Sequence, residues 1–211
     1  MNETAVVSSA YLAPIQYYTK LDSYSHVLLE QHENFIKQTF RNRCVISSAA
    51  GPLPLYIPTD KGNALKCLTR DILIADEDWQ SLHWKSIKTA YNSSPFFEYY
   101  EEDFLPFYTK KWKYLFDFNT QIQEKVMELI GLDKNKISLT SDFIPTYESG
   151  ISDFREAIRP KNPKPDIEFI PQFYYQVFEE KFKFIPNLSI IDLLFNMGNE
   201  SIVVLRNSFR K

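Results

Sequence analysis

The chain has 211 residues, 44% hydrophobic and 24% charged, with 24 Lys and Arg against 27 Asp and Glu, which is the make-up of an ordinary globular protein with a full core. That balance, with no Lys/Arg cluster longer than a pair, leaves no electrostatic footprint for nucleic acid or an anionic membrane. The start, "MNETAVVSSAYLAP", is acidic where a signal peptide needs positive charge, and no apolar run reaches the 18 residues of a membrane span. The expected location is therefore the cytoplasm, without stable membrane insertion and with Cys44 and Cys67 as free thiols.

In chain order, "ETAVVSSA" predicts a strand, "IQYYTKLDSY" after Pro14 a short amphipathic helix, and "HVLLEQ" a second strand. "RNRCVIS" and "PLPLYIPT" flank the turn signal Gly51-Pro52 and predict two more strands, with "RDILIA" a fifth. From Asp78 the period turns helical, with Trp79, Leu82, His83, Ile87, Ala90 and Tyr91 on one face. In "NTQIQEKVMELIG" Asn119 is placed as N-cap and Gly131 at C′. "ISLTS" predicts a strand, "SDFREAI" a short helix stopped by Pro160, and "FIPQFYYQVF" an aromatic strand. A helix from Ser189, in which "SIID" fits a capping box, and a last helix toward Phe209 close the chain. The expectation is an α/β fold, a single domain over residues 1–211, with a mixed sheet and flanking helices and a Rossmann-like arrangement as one option.

Five unclustered glycines remove the P-loop, the dinucleotide fingerprint and the nucleophile elbow, each of which needs closely spaced glycines. Three histidines and two cysteines form no HExxH or CxxC, so no metal site is expected.

The candidates cluster in "EQHENFIKQTFRNR", residues 30 to 43. Glu30 and His32 sit at the end of the second strand, where open α/β sheets place their crevices. Arg41 and Arg43 carry planar guanidiniums able to grip a carboxylate or phosphate. The competing reading is a solvated loop with surface ion pairs. His83, on an otherwise apolar face, reads either as a core histidine or as a general base. Twelve of the 28 residues from Tyr91 to Phe118 are aromatic, which fits a core, with a sugar-stacking cleft as the alternative. Asp153, Arg155 and Arg159 read as intrahelical pairs, with anion binding as the alternative.

The segments "YLAPIQYYTKL", "EQHENFIKQTFRNRCVI", "WQSLHWKSIKTAYNSSPFFEYY", "YYQVF" and "PNLSIIDLLFNMGNES" together resemble the WbqC-like protein family. Members are linked to surface-polysaccharide and O-antigen gene clusters, and an aminoacyl (glycyl) transfer to a sugar has been suggested for them. The resemblance places Phe35, Lys37, Asn42 and Arg43 in a family element and Pro14, Tyr17 and Tyr18 in its aromatic start. Gln31, His32 and Asn34 depart from the two acidic residues and glutamine of many members, and Gln16-Tyr17 from a Gly-Tyr pair. The opening strand-proline-helix-strand also resembles the half-Rossmann unit of nucleotidylyl transferases and pantothenate synthetases, without their two-histidine motif.

What this implies is a transferase attaching an acyl or aminoacyl group to an amino sugar or nucleotide sugar, with ATP or an acyl or aminoacyl donor as the co-reactant. His32 and His83 are the expected catalytic bases, and Tyr17, Glu30, Asn34, Lys37, Arg41, Asn42, Arg43 and Tyr91 the expected substrate-binding residues. The alternative is a non-catalytic protein of the same pathway that binds a glycan precursor or a partner enzyme.

Overall fold

The computed structural model describes residues 3–62 and 65–210. Strand β1 (Thr4–Ser8), helix α1 (Ile15–Ser23) and strand β2 (His26–Glu30) open the chain. The hairpin β3 (Arg43–Ser48) and β4 (Gly51–Tyr56) follows, then a ribbon of β5 (Thr59–Asp60) and β6 (Leu73–Ile74). Three longer helices come next: α2 (Trp79–Tyr91), α3 (Phe97–Thr109) and α4 (Leu115–Ile130). After short strands β7 (Ile137–Leu139) and β8 (Ile151–Asp153), an irregular stretch leads to α5 (Glu179–Phe182), α6 (Ile190–Met197) and α7 (Ser201–Asn207).

The main sheet has the order β7-β2-β1-β8, and every pairing in it is parallel. Ala5, Val6 and Val7 of the central β1 are all buried, as the β-branched run of a parallel strand covered on both faces requires. The fold class is thus the α/β one expected, and among the named strands of the described residues antiparallel pairing occurs in the hairpin and the ribbon, outside the main sheet. From β1 the chain steps outward to β2 and then β7, and crosses to the opposite edge for β8. Strand order therefore reverses between β1 and β8, with all four carboxyl ends at one edge of the sheet.

Burial at Trp79, His83, Ile87, Ala90 and Tyr91 gives α2 one apolar stripe at three- and four-residue spacing, from which the expected Leu82 is absent, its side chain being exposed at the edge of the stripe. Helix α4 buries Leu115, Phe118, Ile122, Val126 and Ile130, and Gly131 at φ 81° ends it with its N–H on the Met127 and Glu128 carbonyls. The aromatic stretch is mostly core. Phe195 of α6 meets the rings of Tyr91, Phe97 and Phe104 edge-on at 5.2 to 5.3 Å, an arrangement that adds about 1 kcal/mol per pair to the burial of each ring. No described helix is long and apolar enough to cross a membrane.

Several elements differ from expectation. Residues 151–153 form β8 and not a helix, because Ile151, Ser152 and Asp153 pair with Thr4, Ala5 and Val6. Helix α4 starts four residues before Asn119, so that side chain is buried in mid-helix, donating to the Arg41 carbonyl and Ser9 Oγ. "RDILIA" contributes only the two residues of β6, after a 3-10 turn at Thr69–Asp71. "FIPQFYYQVF" is irregular apart from an isolated bridge between Phe169 and Phe209. Ser189 does not cap α6 with its side chain; its Oγ donates to the Leu12 carbonyl at 2.7 Å.

Candidate functional site

Because the main strands are parallel, the residues just beyond their carboxyl ends meet. Glu30 at the end of β2 has no exposed surface. Its Oε1 accepts from the His32 backbone N–H at 2.6 Å and from Thr140 Oγ1 at 3.1 Å, and its Oε2 from Arg155 Nη1 at 3.2 Å. Arg155 also donates to Asp153 through Nε at 2.9 Å and Nη2 at 2.6 Å. It therefore ties β2 to β8 across the end of β1. Its guanidinium lies 5.2 Å from the ring centres of both Phe143 and Tyr147. Burial opposes its charge, but the hydrogen bonds and charge of Asp153 and the charge of Glu30 outweigh that and raise its pKa further.

A second buried pair stands at the end of β1. Arg41 Nε donates to Glu33 Oε1 at 2.7 Å, and its Nη2 meets Glu33 Oε2. Nη1 reaches Thr39 Oγ1 at 3.1 Å, Nη2 also reaches Ser8 Oγ at 3.1 Å, and Ser8 Oγ in turn donates to Glu33 at 3.2 Å. This forked geometry is the one a guanidinium offers and an ammonium does not.

Both pairs line one cleft of about 310 Å³, to which the first half of the chain brings Glu33, Asn34 and Arg41 and the second half Asp153, Arg155 and Lys164. Two other hollows, of about 440 and 430 Å³, lie at the start of α2 and between α4 and β7, and neither gathers these charges. The cleft matches the general position of ligand crevices in parallel sheets, outside the carboxyl ends and beside the reversal of strand order.

Of the residues singled out in the sequence, Asn34 and Arg41 line the cleft, and Glu30 braces it from beneath through Arg155. His32 precedes the cleft-lining Glu33 but does not itself line the cleft, and its Nε2 lies 3.0 Å from the Thr140 carbonyl oxygen. A carbonyl only accepts, so Nε2 carries hydrogen there and the neutral ring keeps Nδ1 as its acceptor. Tyr17 is buried, its hydroxyl donating to Gln123 Oε1 at 2.9 Å. Lys37 is exposed on the 30–43 loop. Asn42 is buried and donates to the Ile57 carbonyl, while Arg43 lies over the Tyr56 ring at 5.3 Å. His83 and Tyr91 belong to the core and do not line the cleft. Burial moves His83 down to about 4, against a partial opposing effect of the Tyr56 carbonyl. The Tyr91 hydroxyl donates to Asp192 at 2.7 Å, as do Tyr174 at 2.6 Å and Gln176 at 3.1 Å. Asp192 therefore serves three buried donors and not a helix cap, and burial pushes its carboxyl up to about 6 although all three hydrogen bonds pull the other way.

The sequence does not single out Glu33 or Lys164, and it offers Asp153 and Arg155 as intrahelical pairs with anion binding as the alternative. Only the pairing of β8 with β1 brings Arg155 to Glu30, 125 residues away.

Seventy per cent of the chain, residues 9–157, matches a family model, that of the WbqC-like protein family. No curated protein and no solved structure matches it significantly.

Proposed function

The chain belongs to the WbqC-like protein family, and from that membership we propose a transferase of cell-envelope polysaccharide biosynthesis, of the O-antigen type. It attaches an acyl or aminoacyl group, glycyl being one such group, to an amino sugar or nucleotide sugar held in the cleft at the carboxyl ends of β1, β2 and β8. The observation that carries this reading is the convergence of Glu33–Arg41 and Asp153–Arg155 from distant segments on one cleft. Such groups, already locked by their own hydrogen bonds, orient a polar substrate without reorganising.

In the reaction, the acceptor amine attacks the acyl carbonyl carbon of an activated donor, supplied by ATP-dependent activation or by a carrier. The new C–N bond forms as the bond to the donor's leaving group breaks. The amine proton passes to Nδ1 of His32, which adjoins the cleft-lining Glu33 in the chain and whose tautomer the Thr140 carbonyl fixes. His83, with both nitrogens engaged in the core, takes no part. The aromatic stretch lends little to the alternative of a sugar-binding belt, since only Phe96 and Tyr99 of its rings are exposed.

Mass spectrometry of envelope amino sugars incubated with the protein and candidate activated donors tests the proposal. It expects a product heavier by one acyl or aminoacyl group, lost in His32→Ala. Tight sugar binding with no product under any donor would replace the transferase by the non-catalytic reading.

A further inference from the structure

Four observations narrow what the cleft accepts. First, its charges are matched. Glu33 is held by Arg41, Asp153 by Arg155, and Glu156 by Arg159. Arg155 is shared between Asp153 and the buried Glu30, and of the charged groups lining the cleft only the exposed Lys164 ammonium has no ion-pair partner. One ammonium left to pair suits one carboxylate, whereas a diphosphate brings at least two negative charges beside the carboxylates of Glu30, Glu33, Asp153 and Glu156.

Second, the seat where open α/β folds hold phosphate is closed. That seat is the start of the first helix, whose free N–H groups and dipole attract an anion. Here the Ile15 N–H donates to the Leu188 carbonyl at 3.0 Å and the Gln16 N–H to Asn187 Oδ1 at 2.9 Å. The Ile190 N–H and Ser189 Oγ bond back to the Ala13 and Leu12 carbonyls at 2.9 and 2.7 Å. The segment before α6 thus lies where a phosphate would have to dock.

Third, 310 Å³ stands at the low end of ligand pockets, which run from about 300 to 1,000 Å³. It suits one ring better than a nucleotide joined to a sugar. Fourth, the lining is two-sided. The Phe143 ring and Ile36 are 46% and 50% exposed, and they share the cleft with the open carboxylates of Asp153 and Glu156 and the free amide of Asn34. A sugar ring presents the complementary pair, an apolar C–H face and a hydroxylated edge.

We infer that the cleft takes a monosaccharide carrying one carboxylate beside the acceptor amine, an amino sugar acid, with the carboxylate on Lys164, the ring against Phe143 and hydroxyls donating to Asp153 and Glu156; nucleotide diphosphates are not its ligands, so of the two acceptor classes proposed above the amino sugar remains. The inference rests on the placement of the transferase site in this cleft and refines its acceptor.

The test uses the ¹⁵N-labelled full-length protein titrated with glucuronate, galacturonate, glucose and UDP, followed by amide NMR. At least one of the two sugar acids is expected to shift the amides of residues 34, 36, 153, 156 and 164. Lys164→Met is expected to weaken that binding by about tenfold or more, the scale of one charge-assisted hydrogen bond. Lys161→Met, at an exposed lysine outside the cleft lining, is expected to leave it unchanged. UDP shifting the same amides, or sugar-acid binding insensitive to Lys164→Met, overturns the ligand assignment while leaving the site in place. Shifts from every probe confined to another hollow, such as the one at Asp76–Gln80, or no shifts at all, remove the site and the inference together.

Discussion

The Tyr11 hydroxyl lies 3.0 Å from Nδ1 of His83, and the far ring nitrogen lies 3.1 Å from the Tyr56 carbonyl oxygen. Because a carbonyl only accepts, Nε2 carries the hydrogen and Nδ1 accepts from Tyr11, which itself accepts from Tyr108 at 2.9 Å. The ring is buried against Trp79 and Tyr11, so charging it is opposed and its pKa falls from 6.5 to about 4. The folded value lies below the unfolded one. The stabilisation is therefore complete above pH 6.5 and is lost as pH falls through about 4, to a total of about 3 kcal/mol. Histidine NMR titration should show the His83 ring titrating near pH 4.

Asp192 acts in the same window with the opposite sign. Its folded pKa of about 6 lies above the reference value of 3.8, so its contribution is complete below pH 3.8 and is lost as pH rises through 6, again by about 3 kcal/mol. The two buried groups thus nearly cancel between pH 4 and 6. Denaturant unfolding at several pH values should separate them: relative to the wild type, stability of His83→Gln falls more steeply as pH rises across that window, and stability of Asp192→Asn rises more steeply. Parallel profiles for all three proteins would contradict this account. Asp192→Ala, which strands the Tyr91, Tyr174 and Gln176 donors, should cost about 3 kcal/mol or more.

Local pattern made much of this fold legible. The β-branched run at Thr4–Ser8, the proline before α1 and the stripe of α2 each carry their own signal within a few residues. What was hidden depends on partners far away in sequence. "ISDFREAI" has the composition of a short helix, and only the open edge of β1 makes its first three residues a strand. Asn119 looks like a cap until Leu115 begins the helix a turn earlier, and Asp192 looks like one until Tyr174 and Gln176 arrive from the irregular stretch. For the site, the stretch from Glu30 to Arg41 announced one half of the cleft through its density of charge. Lys164 gives no such sign and Arg155 only the alternative of anion binding, because their place is decided by a sheet edge and not by their neighbours.

Gly198 ends α6 at φ 55° and ψ −130°, a region that side chains rarely enter. A Cβ there would also meet the Phe96 ring at 2.8 Å. Gly198→Ala should lose about 2 kcal/mol in denaturant unfolding. In Phe96→Ala/Gly198→Ala the clash is gone and the backbone strain remains, so alanine at 198 should still be unfavourable against Phe96→Ala alone, by a smaller margin. Equal stability of those two proteins would mean that φ carries no cost there.

Arg41 and Glu33 offer the sharpest separation of structural from functional roles in the cleft. Both side chains are only 8% exposed, so removing one partner strands a buried charge, whereas removing both strands none. Arg41→Met should therefore cost about 3 to 5 kcal/mol and Arg41→Met/Glu33→Gln markedly less. Arg41→Lys should recover little, because one ammonium cannot serve Glu33, Thr39 and Ser8 in the forked arrangement. A double variant that regains stability but fails to bind the cleft's ligand would assign the pair to orienting substrate. One that regains both would reduce it to a brace between the end of β1 and the 30–43 loop, and shift the binding task to Asp153, Arg155 and Lys164 on the other segment.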